Sequence, residues 1–227
     1  MDNKDQEIFI NKAIAVFAKT PGISKVKTRL AADLNEDLAE DIYRQSIQAT
    51  ATVLKGMNDT HVIWALAEAE SETQKSFWSR YPFPAFWTGP GNLGHRLHAV
   101  YSSLILFNKK VLLIGTDSPQ IESGILDDAF NGLEEADFVI GPAKDGGFYL
   151  FGGRRTLDSQ IWTSVEYSRN DTREMLTRRL PSRPKTLPTL CDLDVITDIP
   201  YVIQEFPDDL NEDQAVLKKY LGRVIDA

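Results

Sequence analysis

The sequence predicts an α/β fold in which a mostly parallel mixed sheet is flanked by helices. Short, nearly continuous apolar runs alternate along the chain with longer amphipathic stretches. Strands that are apolar along their whole length are typical of parallel sheets covered on both faces, and their alternation with helices is typical of an α/β domain. At 227 residues we expect a single domain covering residues 1–227.

Local signals place the individual elements. Ala13–Ala18 (AIAVFA) predicts a buried first strand, and Val111–Gly115 (VLLIG) predicts another that ends in glycine. The other predicted strands are His61–Leu66, Ala85–Trp87, Asp137–Gly141 and Phe148–Phe151. Asn35 is a typical N-cap for a helix over Glu36–Leu54. The other predicted helices are one opened by Ser71, Leu93–Phe107, one capped by Ser118 with Pro119 at its first position, Asp171–Leu180 and Glu212–Leu221.

Composition narrows the class of protein. Hydrophobic residues make up 42% and charged residues 26% of the chain, as in ordinary globular proteins. The formal net charge of −8 argues against a nucleic-acid-binding surface. Cys191 is the single cysteine, Met1–Asp5 does not resemble a signal peptide, and no apolar run reaches the roughly 20 residues of a membrane span. We therefore expect a cytoplasmic protein with small-molecule partners, no nucleic-acid partner and no membrane span.

Cations are concentrated in the loop that follows the first strand. Ligands of parallel α/β sheets bind at the carboxyl ends of the strands, where this loop begins. Arginine and lysine are the side chains that hold phosphate groups. The four cations of the loop are Lys19, Lys25, Lys27 and Arg29. They suit a phosphate chain, although a solvated surface loop has a similar composition.

Carboxylates follow other predicted strands. Asp117 lies two residues after the end of Val111–Gly115, where it can hold Mg²⁺ or Mn²⁺ against a diphosphate. The alternative is that Asp117 helps to start a helix, but Ser118 already fills that cap. Asp192 and Asp194 are one residue apart, so in an extended segment their side chains point to the same side. The alternative for this pair is an exposed acidic turn. All three aspartates are candidate metal ligands.

Two glycine-containing segments suggest close approach of the backbone to a ligand. Asp145 precedes Gly146 and Gly147, and it is a candidate base or acceptor-binding group, although the segment is also an ordinary turn. The second segment is Gly91–Arg96. Its residues Gly94 and Arg96 are candidate nucleotide-binding residues, although its two glycines are also compatible with a helix start.

Several motifs together resemble a known family. The sequence is similar to the glycosyltransferase-A-like bacterial transferases, also called the radical-SAM/selenodomain-associated transferase 1 family. The matching segments run in the same order from about residue 13 to residue 200. They are Phe17–Pro21, Val26–Leu30, Asn92–Leu97, Gly115–Pro119, Gly141–Leu150 and Asp192–Asp194.

This resemblance implies a nucleotide-diphospho-sugar transferase superfamily fold, the GT-A fold, with a sheet of about seven strands. It also implies a divalent metal at Asp117 and nucleotide contacts from the first loop. The first loop and the late Asp-x-Asp segment are similar as well to guanylyltransferases that activate phospholactate or molybdopterin. The sequence departs from the family pattern at Ser24, Asn92, His95, Val195 and the segment Tyr167–Arg169.

Three functions follow as hypotheses. The first is a metal-dependent glycosyltransferase that uses a nucleotide-activated sugar donor, with Asp117 and Asp145 as catalytic residues and Lys19, Lys27 and Arg29 on the nucleotide. The second is a nucleotidyltransferase that joins a nucleoside triphosphate to a small phosphorylated acceptor. The third, suggested by the departures from the pattern, is a nucleotide-binding protein without catalytic activity.

Overall fold

The computed structural model describes residues 11–226, and these residues form a seven-stranded sheet with helices on both faces. The segment Met1–Asp5, which bears on the signal-peptide prediction, lies outside the described residues. The strands are β1 Lys12–Ala18, β2 Thr60–Leu66, β3 Ala85–Trp87, β4 Lys110–Ile114, β5 Phe138–Pro142, β6 Phe148–Gly153 and β7 Lys185–Thr186. The helices are α1 Thr28–Asp33, α2 Glu36–Lys55, α3 Glu72–Trp78, α4 Leu93–Ile105, α5 Ser123–Glu135, α6 Ser159–Thr163, α7 Thr172–Arg179, α8 Ile199–Glu205 and α9 Glu212–Ile225, with a 3-10 turn at Ile196–Asp198.

The order of strands across the sheet is β3-β2-β1-β4-β6-β5-β7. Strand β6 pairs antiparallel with both β4 and β5, and the other neighbouring pairs are parallel. The predicted α/β class and mostly parallel mixed sheet are therefore confirmed. In this strand order β1 and β4 are adjacent in the middle of the sheet, so the loops that follow them lie side by side.

Burial on both faces explains why the central strands are apolar throughout. Ile14 and Val16 of β1 belong to a core beneath α2 and α5, whereas Ala13 and Ala15 face a second core beneath α4, α6 and α7. All four side chains are fully buried. An apolar side chain is therefore needed at each position, and this pattern identified the strand in the sequence.

A third apolar cluster fastens the end of the chain to the first loop. Leu30 of α1, Leu193 of the late acidic segment and Leu217 of α9 are all fully buried in it. The cluster brings a segment near residue 193 against one near residue 30, which positions charged side chains from both segments at the same edge of the sheet.

Helix α2 forms as its sequence predicts. The Asn35 side chain accepts a hydrogen bond from Leu38 N, which satisfies one of the free backbone donors of the first turn. Acidic Glu36 and Asp37 in that turn interact favourably with the helix dipole. The helix ends at Lys55, one residue beyond the predicted end.

The predicted helix start at Ser118 and Pro119 is wrong. Helix α5 begins at Ser123, because residues 118–121 form a turn in which Ile121 N donates to Ser118 O. The side chain of Gln214 donates to the Pro119 and Ile121 carbonyls and so fixes this turn against α9. Ser118 therefore does not cap a helix, and its hydroxyl is free to bond elsewhere.

Several short helices and one short strand were not predicted from the sequence. Helices α1, α6 and α8 have 6, 5 and 7 residues, and β7 has two. Fewer than two helical turns do not display a readable period of apolar residues. Two of these elements matter for function, because α1 follows the cationic loop and α8 supports the late acidic segment.

Candidate functional site

An open cavity of about 840 Å³ lies at the carboxyl ends of the central strands. Its walls include Lys19 after β1, Asp117 after β4, Asp145 before β6, and Asp194 from the late segment. The structure thus brings together side chains that the sequence separates by up to 175 positions. The cavity has two parts, which differ in how their charges are arranged.

The first part, here called the charged half, comprises Lys27, Arg29, Asp117, Asp192 and Asp194. The ammonium of Lys27 donates to Asp117 Oδ1 at 2.5 Å and to the Leu193 carbonyl at 2.6 Å. It also lies 3.8 Å from Asp194 Oδ1. The Lys27 side chain is 2% exposed, whereas that of Asp117 is 50% exposed. A buried cation therefore joins two carboxylates, one of which opens onto the cavity.

Backbone geometry directs Lys27 into this position. Lys27 is the N-cap of α1 and has φ 47° and ψ 42°, in the left-handed region that side chains other than glycine rarely adopt. Three polar contacts of its ammonium offset the strain of this conformation.

Arg29 supplies a second cation on the outer side of the charged half. Its Nη2 donates to Asp194 Oδ2 at 2.5 Å, and its side chain is 65% exposed. Asp194 N in turn donates to Asp198 Oδ2, which holds the late segment in place. The backbone of Asp117 is tied to this segment because Leu193 N donates to Asp117 O at 2.8 Å.

Asp192 differs from the other two aspartates. Its Oδ1 accepts a hydrogen bond of 2.6 Å from Ser118 Oγ, the hydroxyl that does not cap a helix. Burial raises the pKa of Asp192 to about 7, and the negative charges of Asp117 and Asp145 add to the rise, against the lowering effect of the Ser118 hydrogen bond. Asp192 and Asp194 were expected to act as a pair, but they have different partners.

The aspartates of the charged half offer a limited ligand set for a divalent cation. Among residues 11–226, no group of three or more His, Cys, Asp or Glu side chains is arranged to hold a metal. Asp117 and Asp194 remain as candidate metal ligands. The cation that lies between them is the Lys27 ammonium. Two carboxylates fit Mg²⁺, which commonly binds one or two protein carboxylates and completes its shell with substrate phosphates and water.

Lys19 and Lys25 do not join this cluster. Lys19 lines the cavity, and its ammonium donates to the Lys25 carbonyl at 3.4 Å. Lys25 forms an exposed ion pair with Glu36 at 3.2 Å. Of the four loop cations, Lys25 is thus the one that does not line the cavity.

Two residues that support the first loop were not predicted from the sequence. Tyr43 of α2 accepts a hydrogen bond from Lys19 N at 2.8 Å and donates to Lys19 O, and burial raises its pKa far above the usual range, so the hydroxyl stays protonated. Glu68 Oε2 accepts hydrogen bonds of 2.9 Å from both Thr20 N and Thr20 Oγ1. Both residues lie far from the loop in sequence, where no local pattern marks them.

The second part of the cavity, here called the loop half, comprises Asp145, Gly147, Tyr167, Arg169 and Asn170. Asp145 is exposed, and its Oδ1 accepts a hydrogen bond of 2.8 Å from Gly147 N. Gly146 has φ 92°, and a Cβ added there would lie 1.8 Å from Asn170 O. The close approach predicted for these glycines is therefore made by another stretch of the same chain.

Arg169 is neutralised by its sequence neighbours. It pairs with Glu166 at 2.9 Å and with Asp171 at 3.0 Å. These contacts lower the pKa of Asp171 through the hydrogen bond from Arg169. Each charge of this group has its partner within three residues, in contrast to the long-range pairs of the charged half.

Gly94 and Arg96, predicted to bind nucleotide, lie in different environments. Gly94 is buried, and a Cβ there would lie 2.5 Å from Trp162 O, so its lack of a side chain allows α4 to pack against α6. Gly94 is not among the residues that line the cavity, and helix packing accounts for it. Arg96 does line the cavity, and its Nε donates to Gly91 O at 3.0 Å.

Sequence comparison places the chain in a family. The profile of the DUF2064 family, described as an uncharacterized protein conserved in bacteria, matches residues 49–169, more than half of the chain. The chain belongs to the DUF2064 family. The part of this DUF2064 protein that matches includes Asp117 and Asp145, whereas the first loop and the late acidic segment lie outside it. No curated protein sequence matches the chain.

Solved structures share the fold of this DUF2064 protein. A provisionally assigned nucleotide-diphospho-sugar transferase from Desulfovibrio desulfuricans G20 superposes with a TM-score of 0.78 at 24% identity, covering 94% of this chain and 97% of that one. The 4-diphosphocytidyl-2C-methyl-D-erythritol synthase of Anaerococcus prevotii has a TM-score of 0.51 at 11% identity, covering 95% and 98%. A CMP:2-keto-3-deoxy-manno-octonic acid synthetase bound to CTP has a TM-score of 0.50 at 12% identity, covering 95% and 99%. These likenesses confirm the predicted GT-A-like fold.

The helices of this DUF2064 protein give no sign of a membrane span. Within residues 11–226, none is both long enough and apolar enough to cross a bilayer.

Proposed function

We propose that this DUF2064 protein is a transferase that takes a group from a nucleotide-activated donor, with a nucleotide sugar as the donor of first choice. One observation carries the proposal: the charged half places Lys27 and Arg29 beside Asp117 and Asp194 at the carboxyl end of β4. Cations suit phosphate oxygens, and the carboxylates of Asp117 and Asp194 would suit a divalent metal. The shared fold supports this choice, since one neighbour is assigned as a nucleotide-diphospho-sugar transferase.

Residues of the charged half and two other cations that line the cavity, Lys19 and Arg96, have separate roles in this proposal. Lys19, Lys27 and Arg29 bind the diphosphate of the donor, and Arg96 binds another part of the nucleotide. Asp117 and Asp194 would hold Mg²⁺ or Mn²⁺. When bound, the metal neutralises charge that develops on the departing diphosphate. Such stabilisation is usually the largest contribution to catalysis.

Asp145 is assigned to the acceptor. The Gly147 N–H fixes one of its carboxylate oxygens, and its exposed position on the cavity wall leaves the carboxylate within reach of a ligand. In this role Asp145 orients an acceptor hydroxyl and takes its proton while the bond between the sugar and the phosphate breaks. The acceptor oxygen then bonds to the sugar, and the nucleoside diphosphate leaves.

Nucleotidyl transfer is the second candidate, and the cationic loop favours it. The three loop cations that line the cavity, Lys19, Lys27 and Arg29, match the charge of a nucleoside triphosphate better than that of a diphosphate. Two of the structures that share the fold are the CMP:2-keto-3-deoxy-manno-octonic acid synthetase, which is bound to CTP, and the 4-diphosphocytidyl-2C-methyl-D-erythritol synthase. In this reaction a phosphorylated acceptor attacks the α-phosphate and pyrophosphate leaves.

A thermal-shift screen tests the shared part of both candidates. The protein is heated with nucleotide sugars and nucleoside triphosphates, each with and without Mn²⁺. A ligand at about 100 times its Kd adds about 2.7 kcal/mol to the free energy of unfolding, which raises Tm by roughly 5–10 °C in a protein of this size. We expect a metal-dependent shift that Asp117→Ala abolishes and that Asp128→Ala, on the exposed surface of α5, preserves.

Product analysis then separates the candidates. Glycosyl transfer releases a nucleoside diphosphate, and nucleotidyl transfer releases pyrophosphate. Metal-dependent binding without either product would instead support the non-catalytic nucleotide-binding hypothesis. A folded protein whose Tm is unchanged by every nucleotide would refute the proposal.

A further inference from the structure

Lys27 occupies a position that a divalent metal would also need. Its ammonium lies 2.5 Å from Asp117 Oδ1 and 3.8 Å from Asp194 Oδ1, so it bridges the two carboxylates. The Leu193 carbonyl, at 2.6 Å, provides a third contact. With a side chain that is 2% exposed, Lys27 is an integral part of the folded site.

We propose that Lys27 is a resident counter-ion that excludes a divalent metal until phosphate groups draw its ammonium away. The metal then binds together with the nucleotide, and not before it. This inference rests on the proposed function, because it assigns an order of binding to the ligands of that same site.

Electrostatic repulsion opposes the presence of the Lys27 ammonium and a divalent metal at the same carboxylates. Two neighbouring carboxylates repel each other unless a cation lies between them, and Lys27 already supplies that cation. A Mg²⁺ ion binds a carboxylate oxygen at about 2.1 Å. With Lys27 in place on the same oxygen, the two cations would be no more than about 4.6 Å apart. Repulsion at that distance, in a partly buried site, opposes metal binding.

Phosphate provides both a reason and a route for Lys27 to leave. A lysine ammonium is a mobile point charge on a flexible stem, so it can exchange a carboxylate for a phosphate without rebuilding the loop. Lys19 lines the same cavity and Arg29 adjoins Asp194, so an arriving phosphate meets further cations.

Arg29 provides a matched comparison. It carries the same unit charge and contacts the same Asp194, but it is 65% exposed and approaches from the outer side, on Oδ2. Removing Arg29 changes the local field without emptying the space between Asp117 and Asp194. The inference therefore predicts unequal effects of the two cations, whereas a general field effect predicts equal ones.

Mn²⁺ binding to the full chain, measured by the loss of the free-ion electron paramagnetic resonance signal, tests the inference without any turnover. The proteins are freed of metal by a chelator, and Mn²⁺ alone is the probe. We expect Lys27→Met to lower the Kd for Mn²⁺ by at least tenfold relative to wild type. Arg29→Met should lower it by no more than about threefold, and Lys25→Met, on the surface, should leave it unchanged. Adding Asp117→Ala to Lys27→Met should remove the gain.

A second titration uses inorganic pyrophosphate in chelator, where no metal takes part. Lys27→Met should bind pyrophosphate more weakly than wild type, so the same substitution strengthens one ligand and weakens the other. Lys27→Gln, which keeps a hydrogen-bond donor, is the second variant if Lys27→Met is unfolded by circular dichroism.

Two results would overturn the inference. One is wild type binding Mn²⁺ alone as tightly as Lys27→Met; the other is Arg29→Met giving the same gain as Lys27→Met. In both cases the proposed function stands if the metal-dependent nucleotide shift is observed. If no variant binds Mn²⁺ and no nucleotide shifts Tm, the inference and the proposed function fail together.

Discussion

The two halves of the cavity differ in the sequence separation of their paired charges. In the charged half, Lys27 pairs with Asp117 across 90 positions of sequence, and Arg29 pairs with Asp194 across 165. In the loop half, Arg169 finds Glu166 and Asp171 within three positions. Burial raises the pKa of Asp192 to about 7 in the charged half, whereas Arg169 lowers the pKa of Asp171 beside the loop half.

This difference indicates which half can respond to a ligand. Charges paired between distant segments hold the site together, and a charged ligand can exchange for one partner. Charges paired within one turn are already balanced, and they gain little from a ligand. We therefore assign the phosphates and the metal to the charged half, and the acceptor to the loop half.

The largest expected effect comes from breaking the charged half at Asp117. Asp117→Asn keeps the size of the side chain and an acceptor for Lys27 but removes the negative charge. We expect transferase turnover to fall by on the order of 10³-fold, because electrostatic stabilisation of the leaving group is lost. Asp128→Asn, a neutral change on the exposed surface of α5, is the control. Equal turnover in the two variants would contradict the assignment of Asp117.

Gly146 does not line the cavity, but it packs against Asn170, so a substitution there disrupts the loop half most directly. In Gly146→Ala the new Cβ would lie 1.8 Å from Asn170 O at a residue with φ 92°, so the two loops must move apart. We expect the free energy of unfolding to fall by about 3 kcal/mol. Denaturant titration measures it. Gly222→Ala in α9, where a Cβ meets nothing within 4 Å, should stabilise the protein slightly. A Gly146→Ala protein as stable as wild type would show that the loops are not in contact.

The raised pKa of Asp192 predicts a pH dependence that belongs to the charged half. The folded state retains this proton up to about pH 7, while the unfolded chain releases it near pH 4. The group therefore favours folding below pH 4, and that contribution is lost as pH rises to about 7.

Asp192→Asn removes this dependence while keeping an acceptor for Ser118. Relative to wild type in metal-free buffer, its free energy of unfolding should rise by on the order of 1–3 kcal/mol between pH 4 and pH 8. A constant difference over that range would mean that Asp192 is ionised throughout.

Two arginines give the smallest effects and the cleanest contrast. Arg29→Ala should weaken nucleotide binding by about tenfold, and the loss should shrink at high salt because the side chain is exposed. Arg169→Ala should leave nucleotide affinity unchanged and alter stability by less than about 0.5 kcal/mol, since its ion pairs are exposed and local. Calorimetric titration with the nucleotide from the screen measures both. A larger loss of affinity from Arg169→Ala would assign the phosphates to the loop half.

Sequence reasoning succeeded where a residue's role follows from its immediate surroundings. The strand at Val111–Gly115 was readable from its apolar run, and this placed Asp117 at the edge of the sheet. Reasoning failed where the partner is distant in sequence. Ser118 was predicted to cap a helix, but its hydroxyl bonds to Asp192, 74 positions away.

Glycines illustrate the same limit. Gly94 and Gly146 were predicted to make room for a ligand, and each makes room for the protein itself, at Trp162 and Asn170. A sequence shows that the backbone must pass close to something at a glycine, but it does not show what. Tyr43 and Glu68 gave no signal at all, because their hydrogen bonds to the first loop join separate elements. The single-domain assignment of residues 1–227 stays a prediction.

The bond between Lys27 and the Leu193 carbonyl spans 166 positions of the chain. Because the chain is synthesised from its N-terminus, the first loop leaves the ribosome long before the segment around Leu193 has been made. Until the residues around Leu193 have been synthesised, Lys27 has neither that carbonyl nor Asp194 to bind. The sheet from β1 to β6 can assemble in the meantime, since all of its strands lie within the first 153 residues. A nascent chain of this protein can therefore have a formed scaffold while its site is still incomplete.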